Sequence, residues 1–126
     1  MALHTLDASA ILALWYAEPI DSTAHECFSN AVISAVNLAE ALTVVIRDGH
    51  SQADFLSILH EADIEIVPFD ESMAQTAATL VNATARYGLS LGDRACLALA
   101  MQMGSVAVTA DRIWRELDVV DIRMIR

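Results

Sequence analysis

Apolar residues recur along the chain in two alternating patterns, which predict short strands that are each followed by a helix. The runs of strand type lie at residues 2–7, 31–34, 64–69, 105–110 and 121–125. Strands that alternate with helices are typical of a parallel sheet covered by helices on both faces. We therefore expect an α/β fold with three layers and a central parallel sheet of about five short strands.

The segments between these runs have helical periodicity, and capping residues mark their ends. The predicted helices span residues 8–17, 21–28, 35–47, 51–62, 71–87, 92–104 and 111–117. Ser34 and Asp70 are residue types that cap helix N-termini, and Gly88 is the type that ends a helix. The chain has no repeat, low-complexity tract or linker, so residues 1–126 are predicted to form a single domain.

The hydropathy of the chain suggests that a partner covers part of its surface. The chain is 56% hydrophobic with a mean hydropathy of +0.45, so we expect a partner to cover some apolar surface. The apolar run at residues 8–17 is about half the length of a membrane span, and Asp7 precedes it, so neither a span nor a signal peptide is predicted. Cys27 and Cys96 lack metal-site spacing and are expected to be reduced core residues of a cytoplasmic protein.

The charge is negative overall but unevenly distributed. The net charge of −10 argues against a general nucleic-acid coat. Residues 1–85 contain twelve acids and one arginine, whereas residues 86–126 contain five acids and six arginines. A polyanion could therefore dock on the C-terminal third if the fold gathers those arginines, and the alternative is that they only solvate helices.

Four acids occupy positions that a parallel sheet would bring together. Asp7 ends the first predicted strand, Asp111 follows the fourth, and Asp93 lies in the first turn of the helix before that strand. Glu40 is the only charge in residues 32–46, whose helix is apolar nearly all round and is expected to be buried. All four can reach the carboxyl edge of the sheet, where open α/β sheets bind ligands.

Carboxylates that share a pocket repel one another unless a cation compensates them. Mg²⁺ and Mn²⁺ prefer carboxylate oxygens, and a water on such an ion can be aimed at a phosphodiester. Other interpretations remain open for each acid. Asp93 and Asp111 can be helix caps, Asp7 can form an Asx-turn, and Arg47 can pair with Glu40.

Four stretches, LDASAIL, SAVNLAEAL, LSLGDRACLALA and VTADRIW, resemble in order and spacing the acidic motifs of PIN-domain ribonucleases, most closely VapC-type toxins. The resemblance implies a site for Mg²⁺ or Mn²⁺ built from Asp7, Glu40, Asp93 and Asp111. It implies that Asp7 and Asp93 are direct ligands and that the other two complete the shell or hold water. Ser9 and Thr109 match small hydroxyl positions beside the first and last acids.

The resemblance also implies an RNA substrate, a homodimer and inhibition by a cognate antitoxin. Arg94 and Arg112 each follow a site acid and are candidates for phosphate contacts, with ion pairing as the alternative. Two other functions compete: a PIN-like module that binds without catalysis, and an acid-pocket phosphatase with an aspartyl nucleophile. The phosphatase is disfavoured because the chain has no lysine and has Ser9 where a second acid is wanted.

Overall fold

The structure, a computed structural model, describes residues 3–126 and has one sheet of five parallel strands. The strands are β1 (His4–Leu6), β2 (Ala31–Ser34), β3 (Glu65–Val67), β4 (Val106–Thr109) and β5 (Ile122–Met124). They lie in the order β3-β2-β1-β4-β5, with every neighbouring pair parallel. The predicted α/β fold is confirmed; residue 2 of the first predicted strand lies outside the described residues.

Helices connect the strands. They are α1 (Ala8–Trp15), α2 (Ala35–Arg47), α3 (Gln52–Glu61), α4 (Glu71–Thr79), α5 (Val81–Thr84) and α6 (Leu91–Met103). Three further turns of 3₁₀ helix lie at Ala24–Phe28, Ala85–Tyr87 and Arg112–Glu116, so two short predicted helices are 3₁₀ rather than α. No helix within residues 3–126 has the length and apolar character needed to cross a bilayer.

The prediction of one long helix over residues 71–87 is wrong, because the segment is divided into α4, α5 and a 3₁₀ turn. The Thr79 hydroxyl donates to the Thr76 carbonyl at 2.7 Å, and the Thr84 hydroxyl donates to the Leu80 carbonyl at 2.8 Å. Threonine hydroxyls that bond back to the preceding turn destabilise and bend helices. The segment still ends at Gly88, which has a φ of +66° as a helix terminator requires.

Helices cover both faces of the sheet. Successive strand residues point to opposite faces. Ile33 and Val108 belong to a buried cluster with α1, α2 and α3, whereas Val32 and Ala107 belong to a second cluster with α4, α6 and Trp114. The layers are therefore helix, sheet and helix, as predicted. Cys27 and Cys96 are both buried free thiols, as their surroundings in the sequence suggested.

The connections bring several helix N-termini to one edge of the sheet. Asp7 is the single residue between β1 and α1, and α2 begins directly after β2. Ser34 caps α2 by accepting a hydrogen bond from the Val36 backbone N–H at 3.2 Å. Because α6 precedes the parallel strand β4, its first turn lies at the carboxyl edge as well. Asp7 and Asp93 therefore both lie at this edge.

Candidate active site

Asp7 is the most buried of the four acids, with 5% of its surface exposed. Its Oδ2 accepts hydrogen bonds from the Ser9 hydroxyl at 2.7 Å and the Thr109 hydroxyl at 3.0 Å. These hydroxyls accept in turn from the backbone N–H groups of Ala110 at 2.9 Å and Asp111 at 3.0 Å. The turn after β4 is thereby tied to the Asp7 carboxylate through two side chains.

The environment of Asp7 disfavours its charge. Burial raises the pKa of this carboxyl from its ordinary value of 3.8 to about 6, and the charge of Asp93 raises it further. The hydrogen bonds from Ser9 and Thr109 lower the pKa but do not cancel the effect of burial. A positive charge placed beside a carboxylate stabilises the ionised form. Asp7 is thus a side chain that a bound cation would restore to its ordinary ionised state.

Asp93 lies in the first turn of α6 and forms a capping box with Ser90. The Ser90 hydroxyl accepts from the Asp93 backbone N–H at 3.1 Å, and Asp93 Oδ2 accepts from the Ser90 backbone N–H at 2.9 Å. The helix therefore begins at Leu91, one residue before the predicted start. The capping interpretation of Asp93 is correct, and the same half-buried carboxylate acts electrostatically on Asp7.

Glu40 is exposed on α2, and the expectation that its helix would be buried all round is wrong. Only Asn37, Ala41 and Val45 of α2 are buried, so the helix has one core face and Glu40 lies off it. Partial burial raises the pKa of Glu40, the hydrogen bond from Asn37 lowers it, and the charge of Asp93 raises it. The ion pairs among residues 3–126 join Arg123 to Asp21 and Arg126 to Glu18, and the pairing of Glu40 with Arg47 does not occur.

A contact between α2 and α6 fixes the Glu40 carboxylate. The side-chain amide of Asn37 donates to Glu40 Oε1 at 2.9 Å and to the Gly92 carbonyl at 2.9 Å. A Cβ atom on Gly92 would lie 2.2 Å from Glu40 Oε2, so the carboxylate rests on bare backbone. Asn37 and Gly92 were not among the site residues predicted from the sequence. The signals were an amide within an apolar helix and a glycine beside Asp93.

Asp111 lies at the rim of the site. Its exposed side chain caps the 3₁₀ helix Arg112–Glu116 by accepting from the Ile113 backbone N–H at 3.2 Å. The capping interpretation is therefore correct for this residue too. The connection between Asp111 and the pocket runs through its own backbone N–H, which donates to Thr109 and so reaches Asp7.

The charges of three of the acids act on one buried thiol. Burial raises the pKa of Cys96 well above its ordinary value, and the charges of Asp7, Asp93 and Glu40 raise it further. The thiol is therefore kept neutral and is not a nucleophile. Asp7, Asp93 and Glu40 thus form one electrostatic cluster, whereas Asp111 stands beside it.

Within residues 3–126 no three acidic, histidine or cysteine side chains are arranged as a closed set of metal ligands. The donors that the fold gathers at this edge are nonetheless all carboxylates, which suits Mg²⁺ or Mn²⁺ rather than zinc or copper. The raised pKa of Asp7 is the second sign of fit, because the carboxylate is buried beside a like charge. The donor chemistry therefore fits a hard divalent cation.

The two candidate arginines differ in their surroundings. Arg94 donates from Nη1 to the Ala77 carbonyl at 2.9 Å and so links α6 to α4. Arg112 is exposed beside Asp111, and it takes part in neither ion pair of the described residues. Of the two guanidinium groups, that of Arg112 is the one accessible to a phosphate.

Ser90→Ala is expected to lower the free energy of unfolding by about 1 kcal/mol, the usual cost of a lost N-cap. The substitution also removes the hydroxyl that holds Asp93. Urea unfolding measures the loss, and Ser51→Ala is the matched control because Ser51 caps α3 in the same way. If Mn²⁺ raises the melting temperatures of Ser90→Ala and Ser51→Ala equally, the capping box does not organise the site.

The fold and the site together define a three-layer α/β protein with a cluster of carboxylates at the carboxyl edge of its sheet. A family model for the PIN domain matches residues 5–120. The chain belongs to the PIN domain family, as the four acidic motifs predicted. VapC toxins of this family are generally metal-dependent ribonucleases.

Solved structures of VapC-type proteins share the fold over nearly the whole chain. A VapBC-5 toxin–antitoxin structure from Mycobacterium tuberculosis is 26% identical, with a TM-score of 0.66 over 100% of this chain and 99% of that one. VapBC2 from Rickettsia felis, bound to promoter DNA, is 18% identical, with a TM-score of 0.75 over 98% and 99%. VapC20 from Mycobacterium tuberculosis, a sarcin-ricin loop cleaving toxin, is 17% identical, with a TM-score of 0.71 over 94% and 98%. Comparison with curated protein sequences gives no significant match.

Proposed function

We propose that the protein is an endoribonuclease that hydrolyses RNA with a water activated by Mg²⁺ or Mn²⁺. The observation that carries the proposal is the buried Asp7 carboxylate, whose pKa of about 6 reflects burial and the nearby charge of Asp93. A cation bound beside this carboxylate would stabilise its ionised form. Membership of a family of nucleases and the all-carboxylate site support the same reading.

The site residues divide into ligands and supports. Asp7 and Asp93 are the proposed direct ligands, and Glu40 and Asp111 complete the set or hold water. The ion, when bound, supplies an activated water and neutralises charge that grows on the phosphate. Glu40 is accessible to solvent and is the proposed acceptor of the water's proton. The hydroxyls of Ser9 and Thr109, which donate to Asp7 Oδ2, orient the buried ligand.

Arg112 is the proposed phosphate contact, and Arg94 contributes less because its guanidinium bonds to α4. We expect Arg112→Ala to weaken RNA binding and to reduce the slope of log affinity against log salt by about 0.7, the value for one phosphate on a single strand. Fluorescence anisotropy with the Asp7→Asn variant measures binding without cleavage. Arg47→Ala, which removes an exposed arginine from the end of α2, is the control. Equal slopes for the two arginine variants would show that Arg112 does not contact a phosphate of the RNA.

The proposed biological role is that of a toxin held by a cognate antitoxin. The solved VapBC-5 and VapBC2 structures are of toxin–antitoxin systems. In this chain Leu91 and Ile46 are 53% and 52% exposed, which provides apolar surface for a partner or for a second copy in a homodimer. Light scattering of the purified protein measures the homodimer. A cytoplasmic location is proposed with this role, because the buried thiols are unpaired.

A PIN-like binding module without catalysis is the second candidate. The observation that favours it is that the acids of residues 3–126 do not form a closed ligand set. Incubation of purified protein with structured and unstructured RNAs, in Mn²⁺ or Mg²⁺ and in EDTA, separates the two functions. Cleavage that EDTA abolishes supports the nuclease. If no RNA is cut and induction of the protein does not arrest growth, the binding module is favoured.

A further inference from the structure

The Glu40 carboxylate is held by residues outside the four acidic positions. Asn37 lies one helical turn before it on α2, and its side chain is completely buried. The amide nitrogen bridges Glu40 Oε1 and the Gly92 carbonyl, each at 2.9 Å. A single amide therefore joins a side chain of α2 to the first turn of α6.

The chemistry of the partners fixes the orientation of this amide. A carboxylate oxygen and a backbone carbonyl are both acceptors, so only the NH₂ end of Asn37 can face them. The other end, Oδ1, is buried without a hydrogen-bond partner among residues 3–126. An unpaired buried carbonyl is a cost in free energy. The Asn37 side chain thus leaves its Oδ1 unpaired, while its NH₂ group donates once to Glu40 and once to the Gly92 carbonyl.

Gly92 completes the arrangement. Its position in the first turn of α6 lets the Glu40 carboxylate lie against the backbone, where a Cβ would approach both carboxylate oxygens to 2.5 Å or less. Asp93 is the next residue, and its charge acts on Glu40. The Asn37 amide and the Gly92 backbone, which carries no Cβ, together hold the Glu40 carboxylate against the first turn of α6.

We propose that Asn37 is a positioning residue, whose amide holds Glu40 in the place from which it completes the divalent-cation site. The inference rests on the proposed metal-dependent function and adds a residue that the acidic motifs do not contain. Asn37 acts through Glu40 and does not itself touch the ion. Outer-shell partners of metal ligands typically change metal affinity by about 10- to 100-fold when they are removed.

The test measures the Mn²⁺ concentration that gives half of the maximal rise in melting temperature. For Asn37→Ala we expect this concentration to rise about 10-fold or more relative to the wild type. Asn37→Ser retains a short donor and is expected to lie between the two. Asn82→Ala, which truncates an exposed asparagine on α5, is the matched control and should respond as the wild type does.

A double variant separates positioning from folding. In a Glu40→Ala background, Asn37→Ala should leave the half-saturating Mn²⁺ concentration unchanged, because the residue that it positions is gone. If the Asn37 variants melt at a lower temperature in EDTA but need the same Mn²⁺ concentration as the wild type, Asn37 is only structural and the inference is overturned. If Mn²⁺ does not stabilise even the wild type, the proposed metal-dependent function is overturned together with this inference.

Discussion

Asp7→Asn is expected to raise the melting temperature of the metal-free protein by several degrees while abolishing RNA cleavage. Burial raises the pKa of Asp7 from 3.8 to about 6. At 1.36 kcal/mol per pKa unit, the ionised carboxylate costs on the order of 3 kcal/mol in the native state at neutral pH. Asparagine keeps the shape and accepts the hydrogen bonds of Ser9 and Thr109 without the charge, but it is a poor ligand for Mg²⁺ or Mn²⁺.

The same shift predicts a pH dependence with a definite sign. Because the pKa of Asp7 is higher in the native than in the unfolded state, the native state holds the proton more tightly between pH 4 and pH 6. The contribution of this group is fully favourable below pH 4 and is lost as the pH rises through about 6. The difference in unfolding free energy between wild type and Asp7→Asn should therefore grow from pH 4 to pH 7 in EDTA.

Urea unfolding and thermal scans in EDTA measure this prediction, and Asp118→Asn is the matched control. Asp118 is exposed and lines a cavity with Gly104 and Ser105 at the opposite edge of the sheet, so the substitution makes the same change of charge away from the site. Its stability and cleavage should stay close to those of the wild type. Stability lost rather than gained in Asp7→Asn would contradict the account of Asp7 as a strained ligand.

Gly92→Ala is expected to reduce RNA cleavage by about 10- to 100-fold, the range typical of lost metal-site support, while the protein stays folded. The new Cβ would lie 2.2 Å from Glu40 Oε2, so the flexible carboxylate must shift from its present position. The backbone of Gly92 does not have a positive φ, so alanine fits the helix there without backbone strain. Cleavage rates and urea unfolding of the same preparation measure the two effects.

A cycle with Glu40→Ala isolates the cause. When the Glu40 carboxylate is absent, the Gly92 methyl has space, so Gly92→Ala should add nothing to the loss of cleavage caused by Glu40→Ala. Additive losses would mean that Gly92→Ala acts on the substrate or on the backbone of α6 instead.

The sheet could be predicted because its signals are local. The strands are short apolar runs, and caps such as Ser34 and Asp70 stand in the sequence beside the helices that they start. The convergence of Asp7, Asp93 and Glu40 followed from topology, since parallel strands and their crossover helices put these ends at one edge. The charges of all three raise the pKa of the buried Cys96.

The helix boundaries in residues 71–87, the exposure of Glu40 and the contact of Asn37 could not be predicted from the pattern of residues along the chain. Residues 71–87 are divided after Thr79 and again after Thr84, and the hydroxyls of both residues bond back to the preceding turn. Glu40 was taken as buried because its neighbours in the sequence are apolar, but α2 buries only one face. The contact of Asn37 with Gly92 joins residues 55 positions apart, so no local spacing could indicate it.

The central claim is that the acids at the carboxyl edge would hold a divalent cation on which RNA hydrolysis depends. Crystals of the protein soaked in Mn²⁺ test it most directly, by the anomalous signal of the metal. We predict a peak within about 2.0–2.6 Å of carboxylate oxygens of both Asp7 and Asp93, absent from Asp7→Asn crystals. A peak elsewhere on the molecule, or none at these acids while RNA is still cleaved, would contradict the account.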